Sequence, residues 1–394
     1  MAIHPFPARM APELVLSALR TRSARPLRVI DPMMGSGTTI VTARSEGHEA
    51  YGTDSDPLAV MVAAASSSDL NVRRFLWEGE ELLKRARLLE AELTDRDAYP
   101  TEADDETKTF LRYWFDRRAR RELTALSRVL ERYDFKTARF MRVAVSRMII
   151  TKQFGVSLAL DVSHSRPHRR HDRATAPTTP LEMFTRSCRL IAARAQFRER
   201  SGKPRTHVRR GDCRALPYEN DFFDLAVTSP PYLNAIDYLR GHKLSLVWLG
   251  HDVSSMREIR GSNIGTMRGS SNRLFDNVLE TVIPDVERAP EVLVNRVRRY
   301  TLDLDSMLSE LARVLRSGSY AHFVIGDCTV KGFDIYNSRA LMGLAKRHGF
   351  VRPIQSRRQL DMGRRYLPPP GKTTKKGQIG RRMWEEVIVR FQVT

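Results

Sequence analysis

Residues 26–67 alternate strand and helix twice, and no other stretch restricts the fold as much. Pro26–Pro32 (PLRVIDP) reads as a buried strand, Gly35–Thr39 as a glycine turn and Thr38–Gly47 as the helix behind it. Glu49–Ser55 (EAYGTDS) reads as a second strand and Pro57–Ser67 as a second helix, with another helix, Ala11–Arg22, ahead of them. Strand and helix in strict succession imply a parallel sheet with right-handed crossovers. The pattern resumes at Thr206–Asp212, Phe223–Ser229 and Ser319–Asp327, all strand-like. Leu302–Leu315 and Ser338–His348 read as helices, and Val351–Gln359 and Glu385–Val393 as the last two strands.

Between the two α/β stretches the alternation stops. Leu70–Glu92, Thr107–Tyr133, Arg139–Gln153 and Leu181–Arg200 carry helical periodicity with heavy Arg and Glu decoration. Ser163–Pro180, rich in proline and cations, reads as a loop. The fold class expected is α/β: a doubly wound, Rossmann-like sheet with an inserted helical, Arg-rich subdomain. Residues 1–69 would form the first part of the core, 70–205 the basic insert, and 206–394 the second part, with a polar insertion at about 252–300.

The charge is uneven. The 394 residues carry a formal net charge of +20, and 55 of the 66 cations are arginine. Arg112–Arg210 has a net charge of +17 and Arg352–Thr394 of +8, so the rest is slightly acidic. Localised positive charge of that size is the footprint of a polyanion, nucleic acid first. No run approaches the roughly 18 to 20 apolar residues needed to span a bilayer. Cys188, Cys213 and Cys328 are scattered, with no CxxC pair, which fits a reducing cytoplasm and excludes a cysteine-rich metal site. A cytoplasmic protein is expected, nucleoid-associated if bacterial, with no metal and no membrane contact.

Three short motifs carry chemistry. In Val29–Thr39 (VIDPMMGSGTT) a strand ends in an acid and a Gly-x-Gly turn opens a helix. Glycine lets a backbone approach a ligand closely, and a helix N-terminus favours a negative group. No Lys-Ser/Thr follows the glycines, so this is not a nucleotide P-loop. Asp54, 23 residues after Asp31, closes the next strand, where an acid can take both hydroxyls of a ribose. Thr228-Ser229-Pro230-Pro231-Tyr232 follows an apolar strand. Two prolines fix two φ angles and remove two donors. Rigid carbonyls, a hydroxyl and an aromatic ring together suit a planar substrate bearing an amino group.

These motifs resemble those of the amino-group DNA methyltransferases that use S-adenosyl-L-methionine. His4-Pro5-Phe6-Pro7-Ala8-Arg9-Met10 resembles the N-terminal cofactor motif, residues 31–39 the glycine motif, and TSPPY at 228–232 the catalytic tetrad. The resemblance covers roughly 1–70 and 205–394 and leaves the insert outside. It implies that Gly35, Ser36 and Gly37, with Pro32, surround the methionine end of the cofactor. Asp31 would orient its amino group, Asp54 hold the ribose and Asp212 reach the adenine, while Phe6 lines the pocket. Ser229, Pro230, Pro231 and Tyr232 would be catalytic. Serine in the first tetrad position points to cytosine N4, with adenine N6 as the alternative. RNA amino methylation and a non-catalytic DNA-binding subunit of a defence system are the further alternatives. The partner implied is double-stranded DNA. The basic loops themselves offer Arg166, Arg169, Arg170, Arg364 and Arg365 as candidate contacts to its phosphates, a solvated loop or linker being the other reading. A restriction endonuclease or a defence-system assembly is the kind of protein partner left open.

Overall fold

Seven strands form the central sheet: β1 (Arg28–Asp31), β2 (Glu49–Asp54), β3 (Thr206–Arg210), β4 (Phe223–Thr228), β5 (Leu315–Ile325), β6 (Phe350–Gln359) and β7 (Glu385–Val393). Their order across the sheet is β6-β7-β5-β4-β1-β2-β3. The pairs among β1 to β5 are parallel, and β7 is antiparallel to both its neighbours. The computed structural model describes residues 2–20, 25–133, 135–151, 155–164, 167–196, 204–233, 237–264, 276–360 and 385–394. The chain winds outward from β1 to β3, then restarts at β4 on the other side of β1. That reversal is the topological switch point of a doubly wound sheet, where ligands bind beyond the carboxyl ends of the strands. The α/β fold class predicted from the alternation is the one observed.

Among the described residues thirteen α-helices accompany the strands. They are α1 (Pro12–Arg20), α2 (Thr38–Ser45), α3 (Pro57–Ser66), α4 (Val72–Glu92), α5 (Asp105–Trp114), α6 (Arg117–Glu131), α7 (Phe135–Ile149), α8 (Pro180–Gln196), α9 (Tyr238–Leu246), α10 (Val253–Ser262), α11 (Asp276–Val282), α12 (Glu291–Val314) and α13 (Asn337–Ala345).

The chain divides into two compact units. The sheet unit comprises Ala8–Ser55, Lys203–Ala235 and Gly261–Thr394. All six residues of β4 are buried, as expected of a strand covered on both faces. β7 alternates buried and half-buried positions, while β6 is largely exposed and carries Arg352, Arg357 and Arg358. Cations on an edge strand deter pairing with another chain. The core joins Ile30, Phe223, Phe323, Phe350 and Phe391 of the sheet to Val297, Tyr300, Leu304 and Leu311 along one face of α12.

The helical unit comprises Met1–Pro7, Asp56–Gly202 and Ile236–Arg260. Its core gathers Phe75, Leu82, Leu111, Leu123, Met141, Phe184 and Trp248. Where periodicity predicts one helix over Thr107–Tyr133, the structure has two. Phe115 leaves the helical region, and the Asp116 carboxylate caps α6 by accepting the Ala119 amide at 2.8 Å. A local side-chain bond thus overrides a continuous apolar face. The segment predicted as a loop contains half of a short antiparallel ribbon, His168–Arg169 paired with Ala159–Leu160. Within the predicted polar insertion α10 is regular, and α12 begins at Glu291, where Arg296, Arg298 and Arg299 dilute the apolar pattern. No helix among the described residues is long and apolar enough to cross a membrane.

Candidate active site

β1 delivers Asp31 to the carboxyl edge of the sheet, where it is 3% exposed. Its Oδ1 accepts the Thr228 hydroxyl at 2.7 Å and the Met33 amide at 3.2 Å. Burial pushes the carboxyl up to about 6, against the hydrogen bonds that favour its ionised form. The Thr228–Asp31 bond ties the end of β4 to the end of β1 across the switch point. Thr39, in the first turn of α2, adds a second tie by donating to the Val227 carbonyl at 3.2 Å.

The loop between β1 and α2 depends on its glycines. Gly35 has φ +50° and Gly37 has φ +82°, in the left-handed region where a Cβ is costly. Gly37 caps α2 without a side-chain hydrogen bond, so no cap side chain takes up the first amides of the helix. Asp54, at the end of β2, accepts the Gly35 amide on Oδ2 at 2.8 Å and so fixes the loop. Gly52 makes room for it: a Cβ there would run into the Met34 sulfur and the Ile40 side chain. Sequence reasoning passed over Gly52, although an isolated glycine inside a strand is a recognised sign of close approach.

Asp212, just past β3, is engaged by its neighbour. Its carboxylate accepts the Arg214 main-chain amide at 2.9 Å and Arg214 Nη2 at 2.7 Å, and Arg214 Nη1 reaches Asp303 at 2.6 Å. Burial works to raise the Asp212 carboxyl, but the Arg214 contacts outweigh it and hold it below its ordinary value.

On the other side of the switch point, Ser229, Pro231 and Tyr232 are half-buried and Pro230 is buried. Leu233, the next residue, donates its amide to Asn337 Oδ1 at 3.2 Å, and Asn337 Nδ2 donates to the Gly326 carbonyl at 2.8 Å. One fully buried side chain at the start of α13 therefore braces both the tetrad and the end of β5. Beside it, Asp327 accepts the Ser338 amide at 2.9 Å and the Ser338 hydroxyl at 3.0 Å, and burial raises its carboxyl. Asp327 was missed as a site residue, although an acid ending a predicted strand was legible in SYAHFVIGD. Tyr300 of α12 is also new. It is fully buried, its hydroxyl has no hydrogen-bond partner among the described residues, and burial, then Cys328, Tyr232 and Asp327, raise it well above the ordinary phenol.

The structure thus brings Asp31, Pro32, Gly35–Gly37, Asp54, Asp212 and Ser229–Tyr232 to one edge of one sheet. Phe6 belongs to the helical unit, where it stacks on Tyr238 at 6.0 Å and tilts against His242 at 4.8 Å. His242 is bonded to Asp56 at 2.5 Å. Arg169 and Arg170 lie in the same unit; Arg166, Arg364 and Arg365 fall outside the described residues. Among the described residues no group of three or more His, Cys, Asp and Glu is placed to hold a metal ion.

No family model matches the chain. A solved S-adenosylmethionine-dependent methyltransferase from Methanosarcina mazei aligns over 98% of both chains, at 8% identity and a TM-score of 0.35. The fold assignment rests on the strand order alone. The Type II methyltransferase M.AvaI of Nostoc sp. is 26% identical over 153 residues, 34% of this chain and 32% of its own length. The Type II methyltransferase M.BsoBI of Geobacillus stearothermophilus is 24% identical over 280 residues, 62% of this chain and 52% of its own. The Type II methyltransferase M.MvaI of Kocuria varians is 23% identical over 436 residues, spanning 99% of this chain and 90% of its own, so the chain has Type II methyltransferase homologues and one of them matches it nearly end to end.

Proposed function

We propose that the chain is an S-adenosyl-L-methionine-dependent DNA methyltransferase acting on the exocyclic amino group of a flipped base, cytosine N4 in preference to adenine N6. One observation carries the reading. The acid–glycine loop and the TSPPY tetrad flank the switch point of one sheet and are joined there by the Thr228–Asp31 hydrogen bond at 2.7 Å. The Type II methyltransferase relatives support it, and DNA is the polyanion that the basic stretches suit.

The residues present fit the cofactor. The buried Asp31 carboxyl, raised by desolvation, has no cation paired with it among the described residues, and an α-ammonium group would supply one. Gly35 and Gly37 hold left-handed backbone angles that a residue with a Cβ rarely adopts, which shapes the loop beside that carboxyl. Asp54 and the α2 N-terminus offer an acceptor for hydroxyls and donors for a carboxylate. When bound, S-adenosyl-L-methionine supplies an electrophilic methyl on a sulfonium.

The protein's task is then to make a poor nucleophile attack. An exocyclic amino nitrogen conjugates its lone pair with the ring. Hydrogen bonds from its N–H groups to Ser229 Oγ and the Pro230 carbonyl favour a pyramidal nitrogen with the pair localised. The two prolines hold those acceptors still, and positioning of this kind supplies much of the rate. Tyr232 stacks on the base once it has left the duplex, since a base inside the helix cannot reach the site.

Nucleoside mass spectrometry of DNA from cells expressing the chain, beside Ser229→Ala, tests this. N4-methylcytosine present with the wild type and absent with the variant is expected. N6-methyladenine alone would transfer the reading to the second base, and neither product would sink it. Asp54→Ala is expected to weaken S-adenosyl-L-methionine binding by about 1.5 to 3 kcal/mol, the scale of hydrogen bonds to a charged group. Unchanged affinity by calorimetry would remove Asp54 from the cofactor site.

A further inference from the structure

The sequence concentrates positive charge in Arg112–Arg210, but the helical unit already neutralises or buries much of it. Arg118 pairs with Glu122 at 2.8 Å and Arg121 with Glu90 at 3.2 Å. Arg170 is bonded to Asp172 through Nε at 2.6 Å and through a second contact. Arg142 and Arg147 donate to the carbonyls of Leu130 and Ile3. A cation engaged in this way adds to the net charge without offering a docking point.

Arg169 differs. Its Nε donates to the Tyr113 carbonyl at 2.8 Å, and its guanidinium carbon lies 4.9 Å from the centroid of the Tyr113 ring. The two terminal nitrogens have no hydrogen-bond or ion-pair partner among the described residues. Tyr113 is 47% exposed, and its ring meets Trp114 edge-on at 4.9 Å. The support is backbone: Leu158 N donates to the Trp114 carbonyl at 2.8 Å, Arg170 N to the Leu158 carbonyl at 2.9 Å, and Arg169 pairs with Ala159 in the ribbon. The ring contact and the Nε bond restrain the guanidinium, and what remains is a two-pronged donor next to an exposed ring. Such a fork matches the two oxygens of a phosphodiester, and its ordering cost is met before binding.

We infer that Arg169 and Tyr113 form a phosphodiester clamp on the helical unit, the guanidinium gripping one backbone phosphate of duplex DNA while the ring lies along the adjoining deoxyribose. The clamp rests on the proposed function only in taking DNA as the polyanion. It would position the duplex without reading sequence, as backbone contacts do.

The test is fluorescence anisotropy with a labelled 30-base-pair duplex, titrated across a salt series. Removing one phosphate contact should lower the log–log salt slope by about 0.9. Arg169→Gln is expected to do that and to weaken binding severalfold at low salt, with Arg169→Lys recovering the slope and only part of the affinity. Tyr113→Leu should weaken binding while leaving the slope near that of the wild type. Lys84→Gln removes an equal charge from a helix face in the same unit, at a lysine paired with Glu81, and should change neither quantity. Thermal unfolding and S-adenosyl-L-methionine affinity, both unaltered, show that the variants are folded. A slope unmoved by Arg169→Gln, or moved as much by Lys84→Gln, overturns the clamp, and so does a partner that proves to be an acidic protein displaced by carboxylates with no duplex binding. Because the assay reads binding, a wild type that binds duplex through Arg169 but methylates nothing would refute the proposed activity and leave the clamp standing.

Discussion

Binding of S-adenosyl-L-methionine is expected to weaken about thirtyfold as the pH falls from about 7 to about 4.5, with the loss setting in near pH 6. The cause is Asp31, whose buried carboxyl titrates at about 6. Above that pH it is ionised and can pair with the ligand's ammonium. Below it, the ionised fraction falls about tenfold per pH unit. The ligand's own amino group stays protonated throughout, since an α-amino group titrates near 8. The fold itself responds in the opposite sense. A carboxyl raised from 3.8 to about 6 binds its proton more tightly folded than unfolded, a difference of about 3 kcal/mol. The contribution of Asp31 to the unliganded fold is therefore fully present below about pH 3.8 and is lost as the pH rises through about 6. Weaker cofactor binding on acidification would thus not be a symptom of unfolding at this group. Asp31→Asn keeps acceptors for Thr228 and Met33 and should bind weakly with no pH dependence in that window. Calorimetry at several pH values decides it; a wild-type affinity flat from pH 7 to pH 5 would remove Asp31 from the ammonium site.

Asn337→Ala is expected to cost about 2 to 6 kcal/mol in stability. The side chain is fully buried and serves the Leu233 amide and the Gly326 carbonyl at once. Its loss strands two buried backbone groups at about 1 to 3 kcal/mol each. The damage should also reach function, because Leu233 directly follows the tetrad. Asn337→Asp keeps the acceptor for Leu233 and loses the donor for Gly326, so it should fall between the wild type and the alanine variant. Denaturant unfolding of all three measures the series. An alanine variant within 1 kcal/mol of the wild type would mean that water replaces both bonds.

The reach of the sequence follows from physical range. The glycine loop, Asp31, Asp54 and the double-proline tetrad were legible because each is local: a backbone that needs φ > 0, an acid ending a strand, two fixed φ angles. The seven strands of the central sheet were legible for the same reason, since short apolar runs bounded by turns are local signals; the small ribbon at His168–Arg169 was not. What escaped depends on residues far apart. Asn337 braces a tetrad 104 residues earlier in the chain, and nothing in NSRALMGLA announces it. The engagement of Asp212 by Arg214 was two residues away and could have been anticipated. The second partner of Arg214, Asp303, could not. Net charge misled in one respect: counting arginines cannot separate Arg169, whose fork is open, from Arg170, held by Asp172 two positions on.

Both units are built from three separated stretches of chain, and this has a consequence for biosynthesis. His4 bonds Ser146, Arg147 holds the Ile3 carbonyl, and Phe6 packs on Tyr238 and His242. During translation the first residues must wait for partners made some 140 and then 230 residues later, at about 5 to 20 residues per second. The central strand β4 likewise emerges long after β1, which stands without its inner neighbour until then. Neither unit can be excised as a contiguous fragment, and a ribosome stalled before residue 240 would display an open sheet and an unclosed bundle together. Nascent chains arrested at that length should recruit chaperones that full-length chains do not.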